Sequence, residues 1–393
     1  MASTTTINTN TITVGVIGVG YVGEHLVTTF GKKFKVIGYD LSKARVEYLK
    51  ETPQIKNNPL IKLQYTTDGL NECDLFCISV PTLLRNDKSV DDSYVRSAGK
   101  TVEEFAKPGA TVVMESSVSV GMTRSILGHL REKNIFVGFS PERVDPGRVE
   151  PPCDEIPKII SGLDQESLSK VHEYYSQVFK TTVKVSSSET AEMCKLYENC
   201  FRMVNIAYAN EAADQCEKHN IDVYEMIKAC ATKPFGFMPF YPGLGVGGHC
   251  IPVNPFYLDT NCDFKLLMQA THTTLQRPQQ KAQELVAKYP EATNFLVVGV
   301  AFKPGESYTM NAPGLEFAKA LKNEHKKNVI ILDPLVISLK DFETVSFGGS
   351  ILRIEQKAVD VVVIAMKQHN VEFGALTTVC QHNSIKIVKF CDL

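Results

Sequence analysis

The sequence predicts an α/β protein with two doubly wound, Rossmann-like domains joined by a long central helix in a helical middle domain. Three observations lead there. Short apolar runs of buried-strand character alternate with helical stretches in residues 13–187 and again in 291–393. Between them, Thr190 to His219 contains neither Gly nor Pro and spaces its apolar residues as a helix does. A glycine triplet, Gly18, Gly20 and Gly23, follows the first strand and opens a helix.

In chain order, the opening residues are rich in Ser, Thr and Asn and lack the apolar core of a signal peptide. Residues 1–12 are expected to be a disordered leader. The first lobe, 13–187, carries strand-like runs at Thr13–Ile17, Lys35–Tyr39, Leu75–Val80, Thr111–Met114 and Ile135–Gly138. The middle section, 188–290, reads as helical, with a Gly/Pro-rich loop from Lys233 to Pro255. The last lobe, 291–393, has strands at Asn294–Val300, Asn328–Leu332, Val359–Ile364 and Ser384–Val388. Its first helix starts at Pro313, with Asn311 near the cap, and continues to Lys322.

Composition narrows the function classes. With 393 residues, 44% hydrophobic and 22% charged, the chain can bury two or three cores. A formal charge of -2 without a basic run argues against nucleic acid as the main ligand. No stretch approaches the ~18 apolar residues of a membrane span. The eleven cysteines show no paired zinc spacing, and no metal is expected. Without a secretion signal they read as reduced thiols of a cytoplasmic protein.

Three motifs carry chemistry. In Gly18-Val-Gly20-Tyr-Val-Gly23, the first glycine allows the tight turn. The second admits a pyrophosphate, and the third lets helix and strand pack closely. Asp40 ends the next strand, where a carboxylate grips ribose hydroxyls and repels the extra phosphate of NADP. NAD is the expected cofactor. Lys195 and Asn199 share one helix face, four residues apart, where a cation and an amide donor can stabilise an oxyanion. Taken alone, the pair reads more readily as a solvated lysine and a surface amide. Tyr241-Pro-Gly243-Leu-Gly245-Val-Gly247-Gly248-His-Cys250 is a loop whose glycines suit close passage by a ligand, with Cys250 presented as a nucleophile. A structural thiol is the other reading, and His249 is expected to shape the loop.

Taken together, these residues resemble the UDP-glucose/GDP-mannose dehydrogenase family, in particular its UDP-N-acetylglucosamine 6-dehydrogenase branch. The resemblance runs from about Val14 to the end. Gly18, Gly20, Tyr21, Val22 and Gly23 match the glycine motif. Val80-Pro81-Thr82 matches a turn near the cofactor. Glu115-Ser116-Ser117-Val118 places Ser117 where the family has a threonine that assists water. Ser140-Pro141-Glu142-Arg143 matches a segment whose glutamate serves in thioester hydrolysis. Lys195 and Asn199 match the oxyanion pair. Lys233-Pro-Phe235-Gly-Phe237, with Tyr241, Gly243 and Gly247, matches the substrate loop, and Cys250 the nucleophile. Ala301-Phe302-Lys303-Pro304 matches a turn of the UDP-binding domain.

The resemblance implies a homodimer built on the central helix, a UDP-sugar substrate, and a two-NAD oxidation of C6 to a uronic acid through Cys250. Three departures stand out. Asn254 replaces an aspartate, and Met310 replaces an arginine of the UDP side, where Ser307, Tyr308 and Ala312 also depart. Leu244 interrupts the loop's usual PGPG. They motivate two alternatives: a nucleotide-sugar or NAD sensor that no longer turns over, and an enzyme arrested after one oxidation. A β-hydroxyacid dehydrogenase would share the Rossmann lobe and the Lys/Asn helix, yet needs neither Cys250 nor a second α/β lobe.

Overall fold

The computed structural model describes residues 12–144 and 150–393. The expected leader lies outside the described residues, apart from Ile12. That residue is buried at 4% exposure, and its carbonyl accepts from Lys35 N–H at 3.3 Å, so the ordered lobe includes it. The chain divides into two compact units. One holds the described residues up to Tyr197 together with Phe256–Cys262; the other holds Glu198–Pro255 with Asp263–Leu393.

The first unit is built on six parallel strands: β1 (Thr13–Ile17), β2 (Lys35–Tyr39), β3 (Ile61–Gln64), β4 (Leu75–Ile78), β5 (Thr111–Met114) and β6 (Phe136–Phe139). Their order, β3-β2-β1-β4-β5-β6, reverses between β1 and β4. That reversal opens a crevice at the carboxyl ends of the strands, where nucleotides bind in such sheets. Both faces are covered. Val14, Val16 and Val36 pack with Leu26, Phe30 and Tyr175 on one side. Ile17, Ile37 and Phe76 pack with Val95, Val102 and Leu127 on the other. This is why the strands read as nearly continuous apolar runs. β3 escaped the sequence reading because Lys62 and Gln64 alternate with its two apolar residues at a sheet edge.

A second parallel pair, β7 (Lys158–Ile160) and β8 (Thr182–Lys184), also belongs to this unit. So do helices α1 (Tyr21–Phe30) and α2 (Gln165–Tyr175). The central helix α3 runs over 31 residues, Ser188–Lys218. The division between the units falls within it, after Tyr197.

The second unit holds a five-stranded parallel sheet: β9 (Asn294–Val298), β10 (Asn328–Leu332), β11 (Glu343–Thr344), β12 (Val361–Ile364) and β13 (Lys386–Lys389), in the order β11-β10-β9-β12-β13. Strand ends moved by one or two residues from the expected ones. β9 stops before Gly299, whose φ of 80° no strand can hold. The echo of the first lobe is geometric. Gly299 repeats the positive φ of Gly18, and Asp333 accepts Val300 N–H at 2.8 Å, as Asp40 accepts Val19 N–H at 2.9 Å.

One local expectation needs correcting. Helix α5 (Pro313–Lys319) gives way to a π turn, Ala320–Glu324, instead of continuing regularly to Lys322. Its cap is Ala312, with Asn311, at φ 51°, next to it. The Asn311 side chain turns toward the cysteine loop.

Candidate active site

The glycine fingerprint is built by necessity. Gly18 has φ 89°, and a Cβ there would lie 2.9 Å from Ser79 O. A Cβ on Gly23 would lie 1.9 Å from Gly18 O, so α1 can approach the turn only through glycine. A Cβ on Gly20 would meet nothing within 4 Å, which leaves its backbone open to a ligand. Gly20 also caps α1 without a side-chain bond, leaving the helix amides for an anion. Tyr21 is exposed and edge-on to His25, while Val22 packs against the core. This cradle fits a dinucleotide.

Asp40 does two jobs at the crevice. Its Oδ2 accepts Val19 N–H at 2.9 Å and its Oδ1 accepts Ser42 N–H at 2.8 Å. A carboxylate has about four lone-pair positions, so acceptor capacity remains for ribose hydroxyls. Arg45, a candidate partner for a 2′-phosphate, is already engaged. Its Nε donates to Val19 O at 3.0 Å, and its Nη2 pairs with Glu24 at 2.7 Å. Asp40→Ala is expected to raise the KM for NAD by about 10- to 100-fold, the value of one lost charge-assisted bond, and to erase most discrimination against NADP. Steady-state kinetics with both cofactors checks this. An unchanged NAD/NADP ratio would refute the ribose role.

The ends of β4 and β5 are laced together. Ser116 Oγ donates to Val80 O at 2.7 Å, and Thr82 Oγ1 donates to Ser117 O at 2.8 Å. Val80-Pro81-Thr82 and Ser117 therefore share one rim of the crevice. Glu142 is 6% exposed. Its Oε1 accepts the N–H groups of Arg143 and Val144 at 2.6 and 2.7 Å, and its Oε2 lies 3.5 Å from Lys158 Nζ. Burial alone would push this carboxyl up, yet Lys158 and the two amides together hold it below the usual carboxylate range. Lys195 Nζ donates to the Glu142 carbonyl, so a neutral acceptor holds its ammonium close to that turn. The Arg143 guanidinium donates to Pro157 O at 2.9 Å.

In the second unit, Cys250 is exposed in the turn before α4 (Asn254–Asp259). Its carbonyl accepts N–H from Asn254 at 2.9 Å and from Val253 at 3.2 Å. Asn254 is 2% exposed. Its Oδ1 accepts from Asn199 Nδ2, and Asn199 Oδ1 accepts from Arg202. Position 254 therefore works as an acceptor in a chain of amides, a task asparagine performs as aspartate does. Most other thiols are sequestered. Burial pushes Cys73, Cys153 and Cys200 each up to about 12, whereas Cys250 and Cys230 alone are exposed.

The loop glycines also serve the fold. A Cβ on Gly247 would come within 2.8 Å of Phe302 Cβ, and one on Gly248, at φ 83°, within 2.9 Å of the Phe302 ring. Gly248 N–H donates to Met310 O, and Asn311 Nδ2 to Gly248 O, both at 3.0 Å. His249 lies 4.8 Å from the Tyr308 ring, in keeping with a loop-shaping role. Further back, Gly243 N–H donates to Asn210 at 2.8 Å, its carbonyl accepts from Arg277 at 2.8 Å, and Tyr241 stacks on Tyr224. Phe302 is thus partly spent on holding the loop, Lys303 is half-buried beside it in sequence, and Phe235 is 69% exposed. Sequence reasoning gave Glu115 no role beyond its place in a matched segment and missed Lys158. Lys158 sits in an apolar strand run, and nothing local marks its partners.

These features define a class, a dinucleotide-binding α/β protein with an exposed thiol at the end of a glycine-rich loop. Comparison with known proteins narrows it. Residues 12–182 match the NAD binding domain, and residues 189–275 the central domain, of the UDP-glucose/GDP-mannose dehydrogenase family. Protein CapL of Staphylococcus aureus is 34% identical over 386 residues, covering 90% of this chain and 89% of CapL. UDP-N-acetyl-D-glucosamine 6-dehydrogenase of Pseudomonas aeruginosa is 35% identical over 263 residues, 62% of each chain. The solved UDP-D-ManNAc dehydrogenase of Pyrococcus horikoshii superposes with TM-score 0.84 at 28% identity, over 97% of this chain and 96% of its own. The chain belongs to the UDP-glucose/GDP-mannose dehydrogenase family. It is an oxidoreductase, and its cofactor is NAD. Among the described residues no helix is long and apolar enough to cross a membrane.

Proposed function

We propose that this protein oxidises C6 of a UDP-N-acetylhexosamine to the uronic acid, using two NAD and an acyl intermediate on Cys250. The observation that carries this reading is the exposed Cys250 thiol, held in a turn by Asn254 while most other thiols are covered. The names of the Pseudomonas and Pyrococcus relatives favour an N-acetylated hexose.

NAD supplies the hydride acceptor for both oxidations. The chain's own residues do the rest. Gly18, Gly20, Gly23 and Asp40 orient the cofactor. Phe302, Lys303, Arg143, Phe235, Tyr241, Gly243 and Gly247 contribute to the UDP-sugar site. The C6 alcohol becomes an aldehyde, and the Cys250 thiolate adds to its carbonyl carbon to give a thiohemiacetal. Lys195 and Asn199 stabilise the oxyanion that develops. Loss of a second hydride leaves a thioester. Water, oriented by Ser117 and deprotonated by Glu142, hydrolyses it. Lys158 and the amides of Arg143 and Val144 favour the carboxylate form of Glu142, the form a base needs.

Arrest after one oxidation is the second reading, motivated by Asn254. The hydrogen bond from Asn199 to Asn254 Oδ1 favours the complete reaction, because an amide keeps that geometry. A panel of UDP-sugars, with NADH counted per sugar consumed, tests both. Two equivalents are expected, and one equivalent with trapped aldehyde or thioester would overturn the proposal. Asn254→Asp is expected to accelerate turnover, by no more than the ~10²-fold at the low end of general-base effects. An unchanged rate would mean that position 254 carries no catalytic charge here.

A homodimer on α3 is part of the proposal. Tyr197, Phe201 and Tyr208 fall on one helix face, at 61%, 40% and 73% exposure. Three exposed aromatics in a row suit a covered surface. The expected result is a dimeric mass by light scattering at micromolar concentration, and a monomeric mass refutes it.

A further inference from the structure

Behind Glu142 lies a buried chain of charges to which the proposed reaction assigns no step. Lys158 opens β7, and its side chain is 4% exposed. Its Nζ lies 2.7 Å from Glu115 Oε2 and 3.5 Å from Glu142 Oε2. Glu115 follows β5 and is 1% exposed. Its Oε1 accepts the Tyr175 hydroxyl at 2.5 Å, and that hydroxyl lies 3.6 Å from Cys77 Sγ. Among the described residues, the titratable and charged groups around Glu142 include Lys158, Glu115, Lys195, Cys153 and the adjacent Arg143, with Tyr175 and Cys77 beyond Glu115.

We infer that Lys158 is a positioning residue that sets the charge and aim of Glu142 for hydrolysis of the Cys250 thioester, with Glu115 holding Lys158 at its working distance. This rests on the reading of Glu142 as the hydrolytic base. Two buried carboxylates around a single cation are a poor way to stabilise a fold, since apolar side chains of similar size do as well or better. The unequal distances matter more. The short contact commits the ammonium to Glu115. The 3.5 Å contact gives Glu142 the attraction of a cation without a full hydrogen bond. An oxygen with two lone pairs, touched at that distance, keeps acceptor capacity for water. The amides on Oε1 fix the plane of the carboxylate.

In the step served, water oxygen bonds to the thioester carbonyl carbon. Its proton passes to Glu142. The carbon–sulfur bond then breaks, releasing the acid and the Cys250 thiolate.

The two partners act in opposite directions. Without Lys158, Glu142 loses the cation beside its Oε2 while staying buried, so it takes a proton more readily. Without the charge of Glu115, Lys158 closes on Glu142 and makes it a weaker base.

The test uses the full-length enzyme and the panel sugar that gives the fastest NADH formation. Acyl-Cys250 is followed by intact mass, and acid release is followed against pH. For Lys158→Met the acid limb of the release profile is expected to move up by about 1–3 pH units, the usual effect of removing a neighbouring opposite charge. The acyl-enzyme should then accumulate at pH values below the shifted limb, where the wild-type enzyme still releases acid. For Glu115→Gln the same limb moves down, and the plateau rate falls. Lys158→Arg restores most of the wild-type profile. If Lys158→Met does not fold because Glu115 is stranded, Lys158→Met/Glu115→Gln replaces it, with acyl-enzyme accumulation still expected. Unchanged profiles without accumulation in these folded variants would overturn the inference while leaving Glu142 in place, provided Glu142→Gln itself accumulates acyl-enzyme. If Glu142→Gln releases acid at the wild-type rate, the base assignment falls, and the role of Lys158 falls with it.

Discussion

Cys250→Ser is expected to cut uronic acid formation on the order of 10³-fold or more while leaving NAD binding intact. The hydroxyl keeps the shape of the turn, because the bonds that hold it run through the backbone carbonyl of Cys250 to the amides of Val253 and Asn254. Serine is a far weaker nucleophile without a dedicated base. His249, the nearest candidate, lies against the Tyr308 ring, and burial draws its pKa down. The first oxidation needs no thiol, so one NADH per sugar and a trappable aldehyde should appear in place of two NADH and acid. Mass spectrometry of the aldehyde adduct, with NADH counted, reads this out. Acid at near wild-type rate from the serine variant would remove Cys250 from the mechanism.

Lys195→Ala should show the second-largest loss, about 10²–10³-fold in kcat, the usual cost of one oxyanion donor. The ammonium is held beside the Glu142 turn by its bond to that residue's carbonyl. An interaction realised as negative charge develops on oxygen lowers kcat and kcat/KM together. The KM for NAD should change little, since the glycine turn and Asp40 are untouched. A kcat within about tenfold of wild type would show that Lys195 is a structural tether for the Glu142 turn and not an oxyanion donor.

The cofactor site was the most legible part of the chain, for a local reason. The positive φ of Gly18 and the close approach at Gly23 are demands on single residues within one turn, and only glycine meets them. The strands were legible because both faces of each sheet are covered, which turns most of them into uninterrupted apolar runs. β3 failed that test, being a short edge strand with alternating polar residues. Asn311 stands near the helix cap, as its local chemistry suggested, but its side chain bonds to Gly248, 63 residues away, which no local signal showed.

By itself, then, the sequence determined the class of protein: two wound α/β lobes, a dinucleotide turn, a long helix with Lys195 and Asn199, and a loop ending in Cys250. Each of these is written in spacings of fewer than about ten residues, the range over which backbone geometry dictates residue type. Tertiary structure alone decided how those groups are held. It set Gly247 and Gly248 against Phe302, tied Asn254 to Asn199, and buried Lys158 between Glu115 and Glu142. These partners lie 16 to 55 residues apart in sequence. At such separations a charge or an amide carries no local mark of its partner. Only the packed sheet, by excluding water around Lys158, makes that pairing obligatory.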